Sequence, residues 1–237
     1  MQTSLFGRSR VAASSSDMAA ELSANLCRFE GDLPLGGLPK RALDLTVASI
    51  MLVLLAPIML IVTVLIRVFM GGPAIFAQKR IGYGGRTFVC YKFRTMVTDG
   101  DDVLRRYLGA EPGAAREWKE TRKLANDPRV GPLGSILRKS SLDELPQLFN
   151  VLYGDMSLVG PRPIVPDELE YYGCHTPEYL RSRPGVTGVW QISGRNCLSY
   201  PARVSLDCRY VRNWSLAADL AILIKTIPAV LKFRETA

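Results

Sequence analysis

Histidine is nearly absent: His175 is the only one in 237 residues. That removes His-centred triads, imidazole metal clusters and most imidazole acid/base schemes, and leaves carboxylates to carry any chemistry. Cysteine is scarce as well. The five present (Cys27, Cys90, Cys174, Cys197 and Cys208) are odd in number, widely spaced and without a CxxC pair. They indicate neither a disulfide framework nor a zinc site, and a reducing, cytoplasmic setting fits them better. Acidic residues are outnumbered, 22 against 30 basic ones, and the net charge of +8 points to an anionic partner such as headgroups, phosphorylated substrates or nucleic acid. No internal repeat is present, and Val11 to Ala20 lacks the apolar run of a secretory signal.

Residues 1–39, rich in Ser, Ala and Gly, read as a flexible N-terminal tail. From Leu45 to Ile66 there is then no charged residue, with Lys40 and Arg41 before the run and Arg67, Lys79 and Arg80 after it. A run of about 20 residues suffices to cross a bilayer. Pro57, mid-run, removes a backbone donor and crowds the carbonyl of Val53. Broken there, each half of about 11 residues would be too short to span and would form a hairpin with both basic flanks on one side. A proline-kinked transmembrane helix is the alternative, and Asp44, expected near the headgroups, does not decide between them.

Beyond Gly71-Gly72-Pro73, a β-hairpin is expected from Ala74–Ile81 and Arg86–Met96 around the glycines 82, 84 and 85. Its second arm alternates, Val89, Tyr91 and Phe93 against Phe88, Cys90, Lys92 and Arg94. The glycines are turn residues, since Thr87 stands where the last glycine of a dinucleotide fingerprint belongs. Residues 101–124 are helix-prone and broken at Pro112-Gly113. Near the end, Leu216, Leu220, Leu223, Ile227 and Leu231 recur at helical spacing, with Trp214 leading in and Lys225, Lys232 and Arg234 available to headgroups. That pattern suits an interfacial helix or a core-facing one.

The densest chemistry lies in RKSSLDELPQLFNVLYGDMSLVGPRP, Arg138 to Pro163. Ser141-x-x-Glu144 matches a helix capping box, although Pro146 favours a start nearer Asp143. A carboxylate at a helix N-terminus would be kept ionised by the dipole and free N–H groups, which also suit a phosphate. Adjacent helical side chains diverge by about 100°, so Asp143 and Glu144 suit different tasks: a nucleophile and a Mg²⁺ ligand. Arg138 and Arg162, the latter held between two prolines, could fork onto phosphate oxygens; a solvated arginine on a rigid loop is the alternative for Arg162.

These residues resemble the bacterial sugar transferases of the monotopic phosphoglycosyl transferase superfamily. The resemblance runs from about Lys40 to Lys232. It rests on the Lys-Arg lead-in to the apolar run with Pro57, QKRIGYGGRTFVCYKFRTM at 78–96, NDPRVGPLGSILRKSSLDELPQLFNVLYGDMSLVGPRP at 126–163 and RPGVTGVWQISGRN at 183–196. It implies an α+β, mostly helical fold: a re-entrant membrane helix hairpin at 40–70, and at 71–237 a cytoplasmic, membrane-associated catalytic domain with a small β-hairpin and amphipathic interfacial helices. It implies transfer of a hexose 1-phosphate from a UDP-sugar, UDP-galactose or UDP-glucose foremost, to undecaprenyl phosphate. UMP would leave and an aspartyl phosphosugar would form, initiating exopolysaccharide or O-antigen synthesis at the cytoplasmic face of the bacterial inner membrane. Asp143 and Glu144 match the catalytic dyad and Glu144 the Mg²⁺ ligand. Arg138 and Arg162 match phosphate- and nucleotide-proximal arginines, and Lys92 and Arg94 match basic positions assigned here to substrate binding. Nucleic acid is not an expected partner, and a homodimer is compatible with the resemblance. A non-enzymatic basic membrane scaffold is the competing reading.

Overall fold

In the computed structural model, which describes residues 33–121, 124, 126–194 and 198–231, the charge-free run lies inside one helix, α1 (Gly37–Met70). Most of the expected tail, residues 1–32, lies outside the described residues, as do Arg195, Asn196, Cys197, Lys232 and Arg234. Pro57 sits inside α1, which at 34 residues measures roughly 51 Å along its axis, against about 30 Å of bilayer hydrocarbon. Among the described residues it is the one helix long and apolar enough to cross a membrane.

Both halves of α1 rest on the same domain. Ala48 joins a core with Leu148, Val151, Met156 and Leu158, while Val62 and Ile66 join another with Ala74, Phe93 and Leu137. Between them Val53, Leu54, Ile58, Leu60 and Ile61 are exposed. The basic lead-in has a different role from the one its position suggests. Lys40 is buried and donates to Asp219 Oδ2 at 2.5 Å and Val159 O at 2.9 Å. Arg41 donates to Val151 O and Leu152 O at 2.6 and 2.9 Å. Asp44, expected near headgroups, is instead 2% exposed, accepting from Ser157 Oγ and Leu158 N. These groups tie the helix to the domain, so they are not available as headgroup ligands.

The hairpin forms as the alternation requires: β1 (Ile75–Ile81) pairs antiparallel with β2 (Thr87–Phe93), Gln78 opposite Cys90. Helices α2 (Gly100–Ala110) and α3 (Pro112–Thr121) divide at Glu111, beside the expected proline break. Then follow α4 (Pro132–Lys139), started by Pro132 in its first turn where no N–H is needed, a 3-10 turn (Leu142–Glu144) and α5 (Gln147–Tyr153), ended by Gly154 at φ 92°. A second sheet was not apparent in the sequence: β3 (Ser157–Val159) pairs in parallel with β4 (Gly185–Thr187). Between them lie a 3-10 segment (Pro166–His175) and α6 (Thr176–Leu180). The short α7 (Val189–Ile192), α8 (Tyr200–Arg212) and α9 (Leu216–Leu231) are the last elements among the described residues. On α9, Asp219 and Ile222 are buried while Leu216, Leu220, Ile224 and Ile227 are exposed. Helix α9 thus turns an apolar stripe outward, the arrangement that an interfacial helix needs.

Candidate active site

The dyad does not begin a helix in the way the capping-box pattern expects. Ser141 takes a left-handed conformation, φ 56°, makes no side-chain cap, and Asp143 and Glu144 occupy the 3-10 turn before Pro146. Leu145 keeps right-handed helical angles (φ −54°, ψ −37°), but Pro146 has no N–H to donate back into the turn, and it stands as the N-cap of the longer helix, which starts at Gln147. The helix dipole is therefore not what sets the charge of Asp143.

Nearby cations set it instead. Lys92 Nζ donates to Glu144 Oε1 at 2.7 Å, and its charge reaches Asp143 as well. Arg138 adds a second positive charge and is oriented by Nε donating to Thr95 Oγ1 at 2.9 Å. Burial, and after it the Glu144 charge, push the Asp143 carboxyl up to about 6 against the opposing pull of Lys92 and Arg138. Burial works against the charge of Lys92, but the two carboxylates outweigh it and raise its pKa. At neutral pH the half-buried, poorly solvated Asp143 carboxyl is thus mostly ionised, the state in which a carboxylate can act as a nucleophile.

Three packing devices fix this geometry. Asn150, fully buried in α5, donates through Nδ2 to Val89 O at 2.7 Å and accepts from Tyr91 N at 3.0 Å, acting as an extra strand partner along β2. It thereby locks the turn that carries the dyad to the strand that carries Lys92. Gly134 lets α4 approach Thr95 closely, since a Cβ there would stand 2.0 Å from Thr95 O. Leu142 and Leu145 pack against the cluster of Val62, Ile66 and Leu137, which sets the turn on the second half of α1.

Of the residues picked out by sequence, Lys92, Arg138, Asp143 and Glu144 come together. Arg94 stands apart, buried, with NH2 donating to the carbonyls of Met70 and Gly71 at the end of α1. Arg162 also belongs to a different cluster: its Cζ lies 5.2 Å from the Trp190 ring centroid, and its backbone N–H serves buried Asp207. Sequence reasoning missed Thr95, Asn150, Trp190 and Arg203. An asparagine within an apolar helical run was the one available signal, for Asn150. His175, Glu178 and Cys208 also gather, their ligand atoms within 4.8 Å, but Arg212 donates to Glu178 Oε1 at 2.5 Å and serves as the cation there.

The donor set at the dyad suits Mg²⁺: Glu144 offers a hard carboxylate oxygen whose side chain is 37% exposed, and magnesium commonly takes one or two carboxylates with the rest from substrate phosphates and water.

The model of the bacterial sugar transferase family matches residues 36–233. The chain belongs to that family. Among relatives of this sugar transferase, the exopolysaccharide production protein ExoY of Sinorhizobium fredii is 55% identical over 197 residues, 83% of this chain and 87% of that protein. The undecaprenyl-phosphate galactose phosphotransferase of Salmonella typhimurium is 50% identical over 193 residues, 81% of this chain and 40% of that protein. The UDP-glucose:undecaprenyl-phosphate glucose-1-phosphate transferase of Caulobacter vibrioides is 40% identical over 204 residues, 82% and 70% of the two chains. The sugar transferase is accordingly an enzyme, a phosphoglycosyl transferase, and the scaffold reading falls.

Proposed function

We propose that this enzyme moves a hexose 1-phosphate from a UDP-sugar to undecaprenyl phosphate in exopolysaccharide synthesis, through a phosphosugar carried on Asp143. The observation that carries this reading is the half-buried Asp143 carboxylate, set between Lys92 and Arg138 beside a second carboxylate. The relatives that act on undecaprenyl phosphate support the substrate class.

In the first displacement a carboxylate oxygen of Asp143 forms a bond to the β-phosphorus. The bond to the bridging oxygen breaks, and UMP leaves with that oxygen and its electron pair. In the second, a phosphate oxygen of undecaprenyl phosphate bonds to the same phosphorus and the Asp143 O–P bond breaks. This yields undecaprenyl diphosphate sugar and restores the carboxylate. Lys92 and Arg138 lower the repulsion between an anionic nucleophile and an anionic phosphate, which would otherwise oppose both steps. Glu144 would hold Mg²⁺, which supplies charge neutralisation on the phosphoryl oxygens. Lys92, already on Glu144, keeps that carboxylate turned toward the same space.

The membrane arrangement belongs to the same proposal. Both flanks of Pro57 pack on one polar domain, so α1 would dip into the bilayer with its exposed apolar middle and return both ends to the cytoplasmic face of the inner membrane. One folded domain that holds both halves of α1 cannot sit on both sides of the bilayer at once.

UMP release from a panel of UDP-sugars, with Mg²⁺ and undecaprenyl phosphate in detergent, tests the activity. Release with one hexose donor is expected; silence across the panel would contradict the reading.

A further inference from the structure

Two guanidiniums flank one indole behind the Gly160–Pro163 loop, and a third reaches the loop itself. Parallel pairing of β3 with β4 brings this loop beside the start of α7, so Arg162 meets Trp190. Arg203, from α8, lies 5.3 Å from the centroid of the same ring, and Arg80 donates to Pro163 O at 3.2 Å. Each cation is felt by a neighbour: Arg162 depresses the pKa of both Arg80 and Arg203, after burial.

The nearby acids do not balance them. Glu168 stands 3.7 Å from Arg80 NH1. Asp207 is 2% exposed and accepts from Tyr172 OH at 2.8 Å. Burial pushes Asp207 up to about 7, against its hydrogen bonds, so it is an incomplete counter-charge at neutral pH. Two donors also go unmet. Trp190 is 8% exposed, and its Nε1 and Arg203 Nε are both buried with no hydrogen-bond acceptor. Unmet buried donors of one polarity, inside a group of like charges, are costly unless a ligand brings oxygen and negative charge.

We propose that Arg203, held on Trp190 beside Arg162, extends the phosphate contact that the family resemblance implies for Arg162 into a two-arginine seat for a phosphate group. Forked guanidiniums match the several terminal oxygens of a phosphate. The inference rests on the proposed reaction, whose nucleotide and lipid substrates both carry phosphate. The seat adjoins the dyad through the hairpin. Arg80 opposite Phe88 shares one face of the ribbon with Cys90 and Lys92, and Cys90 feels the charges of Arg80, Lys92 and Glu144.

Titration calorimetry of the detergent-solubilised full chain with UMP, together with the KM for undecaprenyl phosphate, tests the seat and separates the two sources. Arg203→Gln should weaken UMP binding about tenfold or more if the nucleotide phosphate sits there, or raise the lipid KM by a similar factor if the lipid phosphate does. Arg203→Lys should fall between, keeping charge and losing the fork. Without ligand, Arg203→Gln should unfold at a temperature no lower than the parent, because it relieves repulsion and an unmet donor. A lowered unfolding temperature with UMP binding and lipid KM both within twofold of the parent would make Arg203 a structural residue and overturn the proposal. A parent protein that binds neither UMP nor undecaprenyl phosphate would sink the proposed reaction along with it. Normal UMP release by an unaffected Arg203→Gln enzyme would sink the seat alone.

Discussion

Lys92 Nζ meets Glu144 Oε1 at 2.7 Å across 52 residues of chain, and this contact joins the β-hairpin to the carboxylate pair. It places a fixed positive charge where two adjacent acids would otherwise repel each other. Asp143 can then stay ionised without the helix terminus that its sequence context suggests.

The titration of Asp143 reports on that balance. In metal-free protein, the ¹³C carboxyl signal of Asp143 should titrate near pH 6. Lys92→Met should move the midpoint up by removing a charge that lowers it, and Glu144→Gln should move it down. Because the folded value lies above the ordinary 3.8, ionising Asp143 subtracts stability as pH rises from about 4 through 6. Adding Mg²⁺ should shift the midpoint down; no shift would argue against a metal at the dyad.

Lys40 offers a stability test far from the chemistry. Its ammonium is enclosed with Asp219, which also accepts from Tyr210 OH at 2.7 Å and Trp214 Nε1 at 3.0 Å. Lys40→Met should cost about 3–5 kcal/mol in urea unfolding in micelles, because it leaves a carboxylate buried without its cation. Adding Asp219→Leu should recover part of that loss. A loss below about 1 kcal/mol would mean that the pair is not buried in solution.

Much of the fold is legible in periodicity. The hairpin with its two faces and the terminal amphipathic helix follow from local spacing of apolar residues, and the division at Glu111 from the proline after it. The parallel pairing of β3 and β4 is not, since each strand has three residues and their partnership depends on contacts across the domain. Within the site, Asp143 and Glu144 stand out as acids in a basic stretch, whereas Lys92 is picked out by the family resemblance, since strand alternation alone puts it on one face with Arg94. Trp190 and Arg203 do not stand out, because only the loop after β3 brings them to Arg162. Lys40 and Asp44 mislead in the other direction: charges at the edge of an apolar run suggest an interface, yet both are buried inside the domain, Lys40 on Asp219 and Asp44 on Ser157 and Leu158.

Topology can be read with single cysteines at exposed sites in the first turn of α1 and beyond its C-terminal end. Leu38 is 72% exposed, and the Arg105 side chain 78%. Leu38→Cys and Arg105→Cys, each in a chain with its native cysteines replaced, should both react with an impermeant maleimide in inside-out vesicles. Neither should react in right-side-out ones. Reaction on opposite sides would restore a simple crossing.

The central claim is that Asp143 carries the sugar phosphate. Incubation with a UDP-hexose labelled with ³²P at the β-phosphorus, without lipid acceptor, and peptide mapping of the trapped protein tests it most directly. The account predicts a radioactive peptide containing Asp143 that is lost in Asp143→Asn and discharged by undecaprenyl phosphate; an adduct that persists in Asp143→Asn would contradict it.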